Sequence, residues 1–344
     1  MKKVVFVANR LGGGGAERIL ILLANSLHNQ GCETIIISLN KNVQSYKTDV
    51  PVIELDSISG KKQVKQLRNE IKRMNPDTVV AFEYHVAIKV VAATLGIRCR
   101  LVVSERNDPH KLDAQLVKRV MRNFAYQHSD ILVCQTNDAK AYFSKRIQKK
   151  SVVILNPITD KLPEWNLENH NKTIINFCRL EKQKNIPLLL EAFSKVHEKH
   201  SDYSLAIYGS GNEEQYIQQL ITDMNLSDCV SLAPFVSDIH NIAAQSAMFV
   251  SSSDFEGLSN SMLEAMAMGM PVVCTDCPIG GARMVIQNRV NGLLVPIRDK
   301  ETLANAMIWM IEHPEMINQI SCEAEKIKVS LSKHKIIEMW MRII

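Results

Sequence analysis

The stretch SSSDFEGLSNSMLEAMAMGMP, residues 251–271, follows one apolar run, Ala247-Met248-Phe249-Val250, and leads into another, Pro271-Val272-Val273-Cys274. Between them lie a small-residue turn, Gly257-Leu258-Ser259-Asn260-Ser261, and an apolar helical run from Met262. Strand, turn, helix and strand in this order make one unit of an α/β fold with a parallel sheet. Two carboxylates frame the turn: Glu256 ahead of it and Glu264 inside the helix. Ligands of such sheets gather outside the carboxyl ends of the strands, which is where Glu256 falls. A carboxylate in an apolar run is not buried without a partner. Near a helix amino end it can accept hydrogen bonds, including one from a ligand hydroxyl.

Working outward, the same alternation fills the chain twice. The first series has strands at 4–8, 34–39, 78–82, 100–104, 131–134 and 152–155, with helices at 16–29 and 61–75. The second has strands at 174–177, 204–208, 230–232, 247–250 and 271–274, with helices at 187–200 and 213–224. Continuous apolar runs are how parallel strands covered on both faces read. The polar segment 156–172, with two prolines, is the expected linker. The spacing thus predicts an α/β protein of two domains, 1–160 and 173–328.

With 344 residues, 46% hydrophobic and 22% charged, the chain is globular rather than disordered. No apolar run reaches the roughly 18 residues that span a bilayer. The opening MKKVVFVANR reads as a buried strand rather than a signal peptide, which makes the cytoplasm the expected location. The eight cysteines are then expected to be reduced, and Cys274-x-x-Cys277 lacks the second pair of a zinc site. Charge divides unevenly: residues 1–160 hold 25 Lys and Arg against 14 Asp and Glu, residues 161–344 hold 16 against 22. A net of +11 beside −6 suggests that the first half meets an anionic surface.

Glycines 12–15 lie between a strand and a helix, a placement that suits phosphate. The dinucleotide fingerprint fails, because Glu17 stands where its third glycine belongs and Asn40-Lys41 where its acidic residue belongs. Arg179 and Lys184 straddle a loop after the first strand of the second half, a fork and a point charge that suit a diphosphate if they converge. Residues 114–128 place Leu116, Val117, Val120, Met121 and Phe124 on one helical face beside Lys118, Arg119 and Arg122. That face either docks on an anionic bilayer or is simply core.

Taken together, these segments resemble glycosyltransferase family 4, retaining enzymes of the GT-B fold. The resemblance rests on Glu256 and Glu264 with seven residues between, followed by Ala265-Met266-Ala267-Met268-Gly269-Met270-Pro271. It extends to Gly14-Gly15-Ala16-Glu17, Arg179 with Lys184, Gly209-Ser210-Gly211, and Asn291-Gly292-Leu293-Leu294-Val295. It implies two Rossmann-like domains facing each other across a cleft, the first binding the acceptor and completed by a terminal helix within 329–344. Glu264 would hold the ribose of a nucleotide-sugar donor and Glu256 would face its sugar. Arg179 and Lys184 would neutralise the leaving diphosphate, with Gly257, Leu258, Ser259 and Asn260 near the phosphates. Gly14, Gly15, Gly209 and Gly211 would line the substrates. Many members carry a histidine after a strand of the first domain. The comparable place here reads Ser104-Glu105-Arg106-Asn107-Asp108-Pro109-His110, so Glu105, Arg106 and Asn107 are substrate candidates and the standing of His110 is open. Pro234 replaces a usual glycine, and Gly280-Gly281-Ala282-Arg283 a segment that often carries a glutamate.

The expected activity is hexosyl or N-acetylhexosaminyl transfer from a UDP-sugar, favoured over GDP, to a lipid-linked oligosaccharide of a bacterial surface polysaccharide. The enzyme would sit peripherally on the inner face of the cell membrane. No cofactor, nucleic acid or metal is expected, since the chain has no D-x-D and two cations can balance the diphosphate. Alternatives are a nucleotide-sugar epimerase on the same fold and a catalytically silent sugar-binding subunit.

Overall fold

The computed structural model describes residues 1–12, 14–41, 47–56, 60–168 and 170–344, so Gly13 of the glycine run lies outside the described residues. The chain divides into unit 1, Met1–Pro157 with His334–Ile344, and unit 2, Ile158–Lys333.

Unit 1 is built on seven strands: β1 (Lys3–Ala8), β2 (Glu33–Ser38), β3 (Val52–Glu54), β4 (Thr78–Phe82), β5 (Arg100–Ser104), β6 (Ile131–Cys134) and β7 (Ser151–Val153). They pair in parallel in the order β3-β2-β1-β4-β5-β6-β7. Val4, Val5, Phe6 and Val7 are fully buried, as a central strand covered on both faces requires. Helices α1 (Gly15–Asn29), α2 (Gly60–Met74), α3 (Tyr84–Thr94) and α4 (Leu116–His128) connect the strands. From β1 the chain runs outward to β2 and β3, then returns to β4 on the other side, so the switch point lies between β1 and β4.

Unit 2 repeats the plan with β8 (Thr173–Phe177), β9 (Ser204–Tyr208), β10 (Val230–Ala233), β11 (Met248–Ser251), β12 (Val272–Thr275) and β13 (Leu293–Val295). Their order is β10-β9-β8-β11-β12-β13, again parallel, with the switch point between β8 and β11.

Segment 156–172 is less free than a linker. Trp165 is buried, with its backbone N–H on the Met268 carbonyl at 2.8 Å and its indole N–H on the Ser246 carbonyl at 2.7 Å. An indole needs an apolar bed and a partner for its N–H, and unit 2 supplies both. Among the described residues no helix is long and apolar enough to cross a membrane.

Candidate active site

The two loops that leave the switch point of unit 2 carry the predicted catalytic residues. Residues 178–185 leave β8 and residues 252–259 leave β11. Hydrogen bonds join them: Asp254 N–H to the Gln183 carbonyl at 2.9 Å, Ser252 Oγ–H to the Lys184 carbonyl at 2.9 Å, and Asn185 Nδ2 to Asp254 Oδ1 at 2.9 Å. Asn185 takes a left-handed backbone (φ 45°) and caps the helix Ile186–Lys199 through its side chain. A short amide side chain tolerates that conformation, which ends the loop and fixes Lys184.

Lys184 Nζ is hydrogen-bonded directly to Glu256 Oε1, and the two side chains are only 14% and 15% exposed. Ser253 Oγ donates to the same oxygen at 2.9 Å and Gln183 Nε2 to the other at 3.1 Å. Burial works against the Lys184 ammonium, but the Glu256 carboxylate more than offsets it, and the amine is held above its ordinary value. The sequence reading separated these groups, one for the sugar and one for the diphosphate; the structure makes them partners. Arg179 is exposed, and its guanidinium has no ion pair or hydrogen bond among the described residues.

Glu264 is 4% exposed in the helix Asn260–Ala267, and its Oε2 lies 3.0 Å from Nε2 of His240. Sequence reasoning missed His240, whose ring meets Phe177 edge-on. Ser259 caps the helix by accepting from Met262 N–H, and Ser261 Oγ–H donates to the Phe177 carbonyl at 2.8 Å. Leu258 turns its side chain into the core, so it offers a ligand only backbone. Gly209 and Gly211 are fixed by the backbone beside them: a Cβ would stand 1.9 Å from the Cys178 carbonyl oxygen and 2.2 Å from that of Leu180. Their smallness lets the Arg179 loop pack against them. A Cβ on Gly281 would likewise stand 1.8 Å from the Gly257 carbonyl oxygen, so that glycine seats the turn.

In unit 1 several candidates turn inward. Glu17 folds back over the start of α1, where a Cβ on Gly14 would be 2.0 Å from its Oε2. The chain's own carboxylate thus answers the helix dipole at Gly14 and Gly15, and a phosphate would have to displace it. Glu105 is 5% exposed, accepts from Tyr126 O–H at 2.8 Å, and takes Arg106 N–H at 3.0 Å on its other oxygen. Burial raises its pKa against those bonds and the Arg122 charge. Through these bonds it organises the loop. Arg106 lies over the Phe82 ring at 4.0 Å and bonds Asn156 Oδ1 at 2.7 Å, while its Nε and Nη2 are buried without a partner. Of the three, Asn107 alone is at the surface. His110 pairs Nδ1 with Asp108 Oδ1 at 2.8 Å, with its side chain 51% exposed.

Two parallel α/β sheets, the second with a largely shielded Lys–Glu pair in the loops at its switch point, are the architecture of a GT-B glycosyltransferase. The chain is a glycosyltransferase of the GT-B type: the family model "Glycosyltransferase Family 4" matches residues 13–162 and "Glycosyl transferases group 1" matches residues 158–327. A glycosyltransferase of Haemophilus influenzae is 27% identical over the whole of both chains. A Campylobacter jejuni enzyme named N-acetylgalactosamine-N,N'-diacetylbacillosaminyl-diphospho-undecaprenol 4-alpha-N-acetylgalactosaminyltransferase is 26% identical, over 98% of this chain and 97% of its own. Among solved structures, Anabaena Alr3699/HepE in complex with UDP and glucose superposes with a TM-score of 0.87 at 20% identity, covering 99% of each chain.

Proposed function

We propose that the chain transfers a hexosyl or N-acetylhexosaminyl group from UDP to a lipid-linked glycan, with retention and without a metal, at the cytoplasmic surface of a bilayer. The observation that carries the reading is the largely shielded Lys184–Glu256 pair at the β8/β11 switch point, with the exposed Arg179 on the same loop as Lys184 and Glu264 in the helix that follows the Glu256 loop. Without donor, Lys184 and Glu256 satisfy one another. An arriving diphosphate competes for Lys184, and Arg179 adds a second charge. Glu256 is then released to accept from sugar hydroxyls, while Glu264 and His240 take the ribose side. Charge grows on the diphosphate as its bond to the anomeric carbon breaks, so a fixed ammonium stabilises the transition state more than the ground state. The acceptor oxygen bonds that carbon on the face the phosphate leaves, and the acceptor proton passes to the departing phosphate oxygen.

The Campylobacter jejuni relative acts on a diphospho-undecaprenol glycan by its name, which supports the acceptor class, and the Anabaena structure holds UDP and glucose, which supports the donor class. The test offers UDP-sugars and lipid-linked acceptors in the presence of EDTA. Transfer should persist and the product should be the α-anomer. Loss of activity on chelation, restored by Mg²⁺, would overturn the metal-free reading, and a β-product would overturn retention. Sugar isomerised without acceptor would mark an epimerase, and no turnover of any donor a silent subunit.

A further inference from the structure

We propose that Glu83 binds a hydroxyl of the sugar acceptor at the switch point of the seven-stranded sheet; the assignment rests on the glycosyl-transfer reading above. Glu83 follows directly on β4, and β4 and β1 flank that switch point. Open parallel sheets receive ligands there, outside the carboxyl ends of the strands. In the β1–β4 register Val7 stands opposite Ala81, so two residues on, Asn9 comes level with Glu83. Asn9 Oδ1 accepts from Asn40 Nδ2 at 2.9 Å, beyond the end of β2. Three adjacent strand ends therefore present an amide, an amide and a carboxylate.

The backbone at Glu83 has φ 68° and ψ 147°, a region that glycine enters freely and other residues avoid. It is held there at both ends: its N–H donates to the Ser104 carbonyl at 2.9 Å, and its own carbonyl accepts from Ala87 N–H at 3.0 Å. Glycine would satisfy both bonds without strain. A glutamate in its place indicates that the side chain is needed.

That side chain is 36% exposed, with Oε2 at 3.3 Å from Nε2 of His85. Burial, then the Lys89 charge, lowers the His85 pKa, and the Glu83 carboxylate also acts on the Arg106 guanidinium, whose pKa it raises against burial. The row selects its ligand class. Sugar hydroxyls donate to a carboxylate and both donate to and accept from amides. The hydroxyls of a glycan match these acceptors and donors.

The experiment compares wild type with Glu83→Gly and Glu83→Gln. Acceptors are octyl glycosides of glucose, galactose, N-acetylglucosamine and N-acetylgalactosamine, and donors are the UDP derivatives of the same sugars. Glu83→Gly should melt at a higher temperature than wild type because the strain is gone. Both variants should raise the acceptor KM by about tenfold or more, as a charge-assisted hydrogen bond is lost, while UDP affinity by calorimetry stays at the wild-type value. A Glu83→Gly protein that keeps the wild-type acceptor KM overturns the proposal. A wild type that splits a UDP-sugar in water but transfers to no glycoside overturns recognition of glycan hydroxyls at this row. A wild type that turns over no UDP-sugar overturns the glycosyl-transfer reading instead.

Discussion

Glu256 and Lys184 neutralise one another, so a single substitution at either does more than remove a contact with donor. Taking one partner from a mostly buried ion pair leaves the other charge uncompensated, at a cost of about 3–5 kcal/mol in fully buried cases. With side chains 14% and 15% exposed, this pair approaches that limit. Lys184→Met should therefore lower both melting temperature and turnover. Lys184→Met combined with Glu256→Gln should recover most of the stability, since two neutral groups of similar volume replace two charges, and none of the turnover. Thermal melts and transfer rates over the four-protein cycle check this, with an expected stability coupling of about 0.5–3 kcal/mol. A double variant as unstable as the single would show that the pair does not couple. The pairing was not legible in the sequence, because its members lie 72 residues apart and nothing local joins them. His240 was hidden for the same reason, 24 residues from Glu264. Glu83 was passed over in the sequence, although it stands directly after the apolar run Thr78–Phe82, where the strand-end argument that selected Glu256 applies equally.

Helix α4 shows at the scale of an element what an apolar stripe leaves undecided. Leu116, Val117, Val120, Met121 and Phe124 are 45–71% exposed, while Arg122 is completely buried. The helix is turned the opposite way from an ordinary surface helix. Arg122 is held inside by the Pro109 carbonyl at 2.6 Å, the Tyr142 hydroxyl at 3.1 Å, and the Tyr142 and Phe143 rings at 5.0 and 5.1 Å. This corrects the expectation that Arg122 lies beside the docking face. A helical period reports that two faces differ, not which one is inside. The parallel strands were plain because burial on both sides leaves continuous apolar runs, whereas β3, at the sheet edge with none of its three residues buried, leaves no such run. The outward face, with Lys118 and Arg119 on the same helix, fits an anionic bilayer. Val120→Asp with Phe124→Asp should leave the melting temperature nearly unchanged and abolish sedimentation with anionic vesicles. Wild-type binding should weaken as salt rises. Equal sedimentation of the two proteins would rule this helix out. Arg122→Glu is unsuitable as a test, since it places an unpaired charge in the interior.

At the scale of the molecule, the chain leaves unit 1 after Pro157 and re-enters it at His334, so eleven residues complete a unit begun far earlier in the sequence. Ile336, Ile337, Trp340 and Ile344 are buried on that return. Trp340 packs on Phe82 with ring centroids 5.8 Å apart and lies the same distance from the Arg106 guanidinium. Thr78 Oγ1–H donates to the Ile344 carbonyl at 2.8 Å, so both ends of β4 are tied to this segment. Each large apolar side chain is worth about 1.5–3 kcal/mol when fully buried, an upper estimate because unfolded chains are not fully extended. The four together reach roughly 6–12 kcal/mol, comparable with the about 5–15 kcal/mol that keeps a whole domain folded. A chain ending at Lys333 should therefore lose unit 1 while unit 2, with all of its own residues, stays folded. Calorimetry should show that the truncated protein lacks an unfolding transition present in the full chain. UDP should still raise the melting temperature of what remains, by mass action on the folded form. Glycosyl transfer should be absent, since the proposed acceptor row at Asn9, Asn40 and Glu83 belongs to the unit that is lost. An unchanged melting profile after truncation would mean that the returning helix rests on unit 1 without supporting it.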